Sequence, residues 1–336
     1  MARAMSAVLL TASLAAVVAG EMPSMPLRTM EFAAYPGYTG NLAVTGTVAI
    51  GSVHHSGTQV LFFDLAGTDP ACTSGVQSAT QNGCGIHVHE GMSCDAAGGH
   101  YYNSDTLTTD PWLAIVYKTV GGAAVGQNVH VTTGVTLADT NGRTFVVHDV
   151  DGGRVACASL AEVSETGTAV VPPLAKYPGY QGALMVQGTV HIAQEGTGTS
   201  AAQIVRFDLT GVDPACLPTA DFSVANACGV HIHAGTTCDD ASQVGGHYWD
   251  SQAISQDPWA KIQYIADGTT ATGVTTPVVT GLALSEVVGH AFVVHDVTGG
   301  RVACALIEPQ VASGTSGHSP QWWALLATAA LAPTAM

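Results

Sequence analysis

The second half of this 336-residue chain repeats the first, landmark by landmark. Tyr35-Pro36-Gly37-Tyr38 returns as Tyr177-Pro178-Gly179-Tyr180, Asp69-Pro70-Ala71-Cys72 as Asp213-Pro214-Ala215-Cys216, and Asp110-Pro111-Trp112 as Asp257-Pro258-Trp259. A period of about 145 residues far exceeds any solenoid unit and marks tandem duplication of a whole domain. Between the two ends of the chain, short valine- and threonine-rich runs alternate with clusters of Gly, Asp and Asn, and no stretch keeps a helical period. The expectation is an all-β chain of two tandem Greek-key β-barrels of sandwich type, at residues 21–165 and 174–309. A short stiff linker is expected at 166–173, where Pro172-Pro173 sits.

Both ends read as processing signals. Arg3, an apolar run from Ala4 to Val18 and the small residues Ala19-Gly20 describe a secretory leader over 1–20. Over 310–336, the small residues Ala312 to Gly317, a polar spacer and the apolar tail Trp322 to Met336 suggest a glycosylphosphatidylinositol attachment signal, with Ser313 or Gly314 as the anchored residue. A secreted protein at the cell surface is expected, touching the membrane only through that anchor. Its 9 Lys and Arg against 25 Asp and Glu give a net charge of −16, and there is no basic patch for a nucleic-acid backbone. Eight cysteines, an even number, suit an oxidising compartment. They recur as Cys72/Cys216, Cys84/Cys228, Cys94/Cys238 and Cys157/Cys304, which points to two bridges inside each repeat, with three pairings open.

The chemical signal is Cys84-Gly85-Ile86-His87-Val88-His89 and its copy Cys228-Gly229-Val230-His231-Ile232-His233. The β-branched residues between the histidines favour extended backbone, which puts both imidazoles on one face of a strand. One His-x-His is weak on its own, but the duplication acts as an internal control. Of fourteen histidines, eight recur at matching places, whereas His54, His55, His130, His191, His290 and His318 do not. The recurring set adds His100 and His247, each after Gly-Gly, and His148 and His295, each within Phe-Val-Val-His-Asp. Four neutral imidazoles per repeat without a thiolate form a nitrogen site suited to copper or zinc, with copper first in affinity.

Taken together, His-x-His, a cysteine five residues on, Gly-Gly-His, Phe-Val-Val-His-Asp and Gly-Gly-Arg-Val-Ala-Cys resemble the copper/zinc superoxide dismutase family, and each repeat carries all of them in order. The resemblance implies copper ligands at His87, His89, His100 and His148, and at His231, His233, His247 and His295. It implies that Arg154 and Arg301 guide superoxide, the anionic substrate. It also implies bridges from Cys94 to Cys157 and from Cys238 to Cys304, which leaves Cys72 to pair with Cys84 and Cys216 with Cys228.

The chain departs from that family in two places. No histidine lies between His100 and His130 or between His247 and His290, so the family's zinc ligands have no counterpart. Short turns, Asp149 to Gly153 and Asp296 to Gly300, replace the long charged loop before the arginine. This pattern is similar to the copper-only branch, and especially to its surface-attached proteins with repeated domains. It implies one copper per repeat, no zinc, and conversion of superoxide to oxygen and hydrogen peroxide. Two other readings stand beside it: a surface protein that sequesters copper, which has no need of the two arginines, and a structural surface protein retaining the fold. The outer ring nitrogens of His100 and His247 call for a hydrogen-bond acceptor, for which the recurring Asp110 and Asp257 are candidates, but each precedes Pro-Trp and reads first as a turn residue. The Tyr-Pro-Gly-Tyr pairs read as strand starts.

Overall fold

The computed structural model describes residues 23–310 apart from 55–56 and 76–79. The leader at 1–20, the C-terminal signal with Ser313 and Gly314, and His55 and His318 lie outside the described residues. The first repeat contains β1 (Leu27–Thr29), β2 (Ala33–Ala34), β3 (Thr45–His54), β4 (Thr58–Ala66), β5 (Ile86–His89), β6 (Ala123–Thr132), β7 (Thr144–His148) and β8 (Arg154–Glu162). The second contains β9 (Gly167–Val171), β10 (Ala175–Lys176), β11 (Gln187–Glu195), β12 (Ala202–Thr210), β13 (Val230–His233), β14 (Thr270–Val274), β15 (Val278–Val279), β16 (Ala291–His295), β17 (Arg301–Leu306) and β18 (Glu308–Pro309).

In the first repeat the strands lie in the order β6-β4-β3-β1-β8-β7-β5, all antiparallel, with β2 added on β8. The chain crosses from one end of that order, β5, to the other, β6, and so closes a Greek key. The second repeat has the same plan. There the ladder is interrupted at Ile307, so β17 and β18 replace the continuous β8 and the histidine strands form a separate sheet, β10-β17-β16-β13.

Period-two alternation builds each core. Along β4, Leu61, Phe63 and Leu65 point inward and pack around Trp112, Tyr117 and Phe145. Ile192, Phe207 and Leu209 do the same around Trp259, Tyr264 and Phe292. The outward face of β4 is apolar too, at Val60 and Phe62, and this face meets the second repeat. Val53 and Val60 are buried with Ile265, against Phe62 and Phe222. Burying a side chain such as Val60 contributes roughly 1.5–3 kcal/mol, enough to make the contact between repeats part of the fold. Ser52 of β3 pairs with Val274 of β14, which joins the two repeats into one fourteen-stranded sheet. The strands come this close because Gly51 has no side chain: a Cβ there would lie 2.4 Å from the Val274 carbonyl oxygen. Beside the seam, Arg28 grips Glu195 with two nitrogens, at 2.6 and 2.8 Å.

The segment expected to be a linker carries β9 instead. Gly167–Val171 pairs along β11 from Gln194 to Val190. Ala169 and Val171 are buried and alternate with Thr168 and Val170, so this stretch is a sheet strand that Pro172-Pro173 ends. Disulfides join Cys72 to Cys84 and Cys216 to Cys228, each across 12 residues. The long ones join Cys94 to Cys157 and Cys238 to Cys304, across 63 and 66 residues. Loops of these lengths correspond to about 3 and about 4 kcal/mol of chain entropy removed from the unfolded state.

Candidate metal centres

Three local features aim four imidazoles at one point in the first repeat. Strand β5 places His87 and His89 on the same face. Strand β7 lies beside it, with Val147 opposite Ile86, and a bulge after Val147 sets His148 opposite Arg154. Bulges commonly re-aim a side chain in this way. His100 arrives from a loop that touches β5 through a single bridge to His89. One nitrogen from each of the four rings lies within 4.8 Å of the others, and His231, His233, His247 and His295 form the same group in the second repeat. Ring centroids are 4.1 Å apart for His87 and His100 and 4.9 Å for His89 and His100; the counterparts are 4.3 and 5.1 Å.

The Cys-Gly preceding each His-x-His has a steric reason. A Cβ on Gly85 or Gly229 would lie 2.2 Å from the ring carbon of His87 or His231, so only glycine leaves room for that imidazole.

Oxygen acceptors fix which nitrogen faces inward. The Nδ1–H of His89 donates to the Gly98 carbonyl at 3.0 Å and that of His148 to Gly152 at 3.0 Å. His100 Nδ1 lies 2.6 Å from an Asp110 carboxylate oxygen. In the second repeat the acceptors are Gly245, Gly299 and Asp257, at 3.1, 3.0 and 2.6 Å. With Nδ1 held as a donor, Nε2 turns its lone pair inward. His231 is reversed: its Nε2–H donates to the Ile262 carbonyl at 2.8 Å and Nδ1 faces the group.

Burial keeps three of the four rings in each group neutral. His87 and His231 are held well below the usual imidazole pKa, first by desolvation and then by neighbouring imidazoles. The same burial lowers His89 and His233 to about 3, and His148 and His295 to about 4. A neutral imidazole with a free lone pair is the form that binds a metal.

Asp110 and Asp257 do more than close a turn. One oxygen of Asp110 accepts from the Trp112 backbone N–H at 2.9 Å while the other holds His100, and Asp257 does the same for Trp259 and His247. One carboxylate thereby serves the turn and the ring together.

Arg154 stands at the edge of the group. Its Nη2 donates to the Gly98 carbonyl at 2.6 Å, the same oxygen that holds His89, and its Nη1 donates to the Tyr35 hydroxyl at 2.7 Å. Arg301 repeats this with Gly245 and Tyr177, at 2.6 and 2.9 Å. The Cys94–Cys157 bridge ties the Gly98 loop to the strand that carries Arg154. The Tyr-Pro-Gly-Tyr motif therefore has a role that the sequence reading missed. It forms a turn rather than a strand start, and its first tyrosine anchors the arginine. Recurrence of the motif was the available signal, because a generic turn would not need the same aromatic twice.

No protein-family model and no curated protein sequence matches the chain. Three solved structures that match are point variants of Candida albicans superoxide dismutase 5. One is 18% identical with a TM-score of 0.28, covering 43% of this chain and 95% of that one. A second, at 19% and 0.28, covers 42% and 94%, and a third, at 19% and 0.29, covers 43% and 94%.

Proposed function

We propose that this chain is an extracellular, surface-held, copper-dependent superoxide dismutase with one copper site in each repeat and no zinc. One observation carries the reading. Outward nitrogens of His89, His100 and His148, and of all four rings in the second repeat, are held by oxygen acceptors. The inward Nε2 of His89 and His148, Nδ1 of His231 and Nε2 of His247 are buried with no hydrogen-bond partner, and Nε2 of His233 and His295 meet only each other, at 3.4 Å. A buried polar atom left unpaired costs about 1–3 kcal/mol, so a converging set is costly unless one ion takes the lone pairs. The all-nitrogen set suits copper.

Copper held there would supply a one-electron couple that zinc lacks. The residues themselves hold, orient and attract. Asp110 and Asp257 fix the rings of His100 and His247, and the Gly98 and Gly245 carbonyls fix His89 and His233. The overall reaction takes two superoxide anions and two protons to one oxygen and one hydrogen peroxide. A net charge of −16 opposes an anion's approach, but salt confines that field to about 8 Å, and the anchored guanidiniums of Arg154 and Arg301 lie within that range of their ligand histidines.

Copper-reconstituted protein assayed for superoxide consumption tests the reading. Arg154→Ala combined with Arg301→Ala is expected to lower kcat/KM about tenfold with copper per chain unchanged. Tightly held copper without turnover in the unmutated protein would favour sequestration, and no tight copper would favour the structural reading.

A further inference from the structure

We propose that the first repeat is a working part of the second repeat's metal centre: through Asn128 and Gln263 it positions His231, while His87 has no such support. This rests on reading the four-histidine groups as metal centres. The two centres agree in the acceptors for three of their four rings and part company at the fourth. His231 Nε2–H donates to the Ile262 carbonyl at 2.8 Å, whereas His87 faces the matching Ile115 carbonyl without a well-formed hydrogen bond to it. The Ile115 carbonyl also accepts from the Ile86 backbone N–H, at 3.2 Å, beside a bridge between Gly85 and Val116 that recurs between Gly229 and Gln263.

The segments behind the two rings explain the difference. Ile262 to Ala266 is buried throughout, Gln263 being 5% exposed, while the matching run from Ile115 contains the half-buried Val116 and the exposed Lys118. What covers the second segment is the first repeat. Val53 and Val60 pack on Ile265. Asn128 on β6 donates its amide to the Gln263 side-chain oxygen at 2.5 Å, and its own oxygen lies 2.9 Å from His130 Nε2. Asn128 sits in the left-handed region at φ 57°, which asparagine tolerates better than most residues. A side chain of one repeat therefore fixes the residue next to the carbonyl that orients a ligand ring of the other. Val116 stands where Gln263 stands, so the first centre lacks the amide through which a neighbour could act.

Full-length Asn128→Gly keeps the left-handed backbone and removes only the amide, and Gln263→Val installs the first repeat's residue. In metal-free protein, ring-nitrogen NMR is expected to show His231 Nε2–H exchanging about tenfold faster in either variant, with the His89 and His148 ring protons unchanged. Arg28→Ala, which cuts a different contact between the repeats, should leave His231 unchanged. In copper(II)-loaded Gln263→Val, half of the copper signal in the EPR spectrum should shift its hyperfine coupling, while Val116→Gln shifts none. Unchanged His231 exchange in both variants, or equal acceleration in Arg28→Ala, would overturn the proposal. Accelerated exchange in a protein that takes up no copper would leave the positioning intact and overturn the metal reading alone.

Discussion

The first and second centres are copies in front and strangers behind. On the side facing the cluster, each carbonyl, carboxylate and tyrosine hydroxyl that holds a ring or the arginine recurs: Gly98 with Gly245, Gly152 with Gly299, Asp110 with Asp257, Tyr35 with Tyr177. Behind the rings the repeats diverge, with Val116 and Lys118 against Gln263 and Ile265. The difference teaches where the constraint lies. The acceptors that orient the rings are the same in both copies, whereas the segments behind them form a contact between repeats in one copy and solvated surface in the other.

The sharpest way to break this comparison is to remove one proposed ligand from each centre in turn. His148→Ala and His295→Ala should each lower copper from two to one per chain and activity to about half, and the double variant should lose activity by a factor of at least about 100. Metal analysis and superoxide consumption measured on the same samples check this. A single substitution that empties both centres would show coupling far stronger than one amide contact can transmit.

Next in size are the long disulfides. Replacing Cys94 and Cys157 together by serine should cost about 4 kcal/mol in urea unfolding of the metal-free protein, and replacing Cys238 and Cys304 the same. The first pair should also lower kcat/KM, because the bridge holds the Gly98 loop against the Arg154 strand. A markedly smaller loss for the second pair would mean that the contact with the first repeat already restrains that loop.

Acid should act on both centres alike. His89, His148, His233 and His295 stay neutral in the folded protein until about pH 3 to 4, but an unfolded chain protonates them below about 6.5. Since the folded pKa values are depressed, the stability tied to these rings is complete above about 6.5 and is lost as pH falls toward 4. The slope is at most about 1.4 kcal/mol per pH unit for each ring. Urea midpoints of metal-free protein at pH 7 and pH 5 check this, and equal midpoints would mean that the rings are not buried as described.

The sequence made the front of each centre legible because duplication separates residues held by chemistry from residues that merely happen to be there. Eight recurring histidines, two arginines and the cysteines stood out on that ground, and alternation with frequent turns was enough for an all-β barrel. The back was not legible. Phe62 of β4 aligns with Arg206 and Val116 with Gln263, and no periodicity says that one repeat's outer face seats on the other. Gly167–Val171 was misread for a related reason: the adjoining prolines signal a break, while its partner strand β11 begins sixteen residues after it ends. For Asp110 the Asp-Pro signal favours a turn over a bond to His100, since the turn is local and the bond depends on how the loop folds, yet the carboxylate serves both.

The smallest expected effect concerns a pair that differs in residue type but not in job. Arg143 lies 3.8 Å over the Tyr101 ring and donates to the Glu90 carbonyl. His290, at the matching position, stacks on Tyr248 at 4.0 Å and donates from Nδ1 to the Ala234 carbonyl at 2.9 Å. Both cover the aromatic that follows the third histidine and tie it to the residue after the second. An exposed cation over an aromatic ring contributes only about 0.5–1 kcal/mol, and the carbonyl bond survives the exchange. Arg143→His should therefore cost less than about 1 kcal/mol in urea unfolding and leave copper content and activity unchanged. A loss well above that would mean that Arg143 carries a task in the first centre that His290 does not perform in the second, and the likeness of the two fronts would end at this residue.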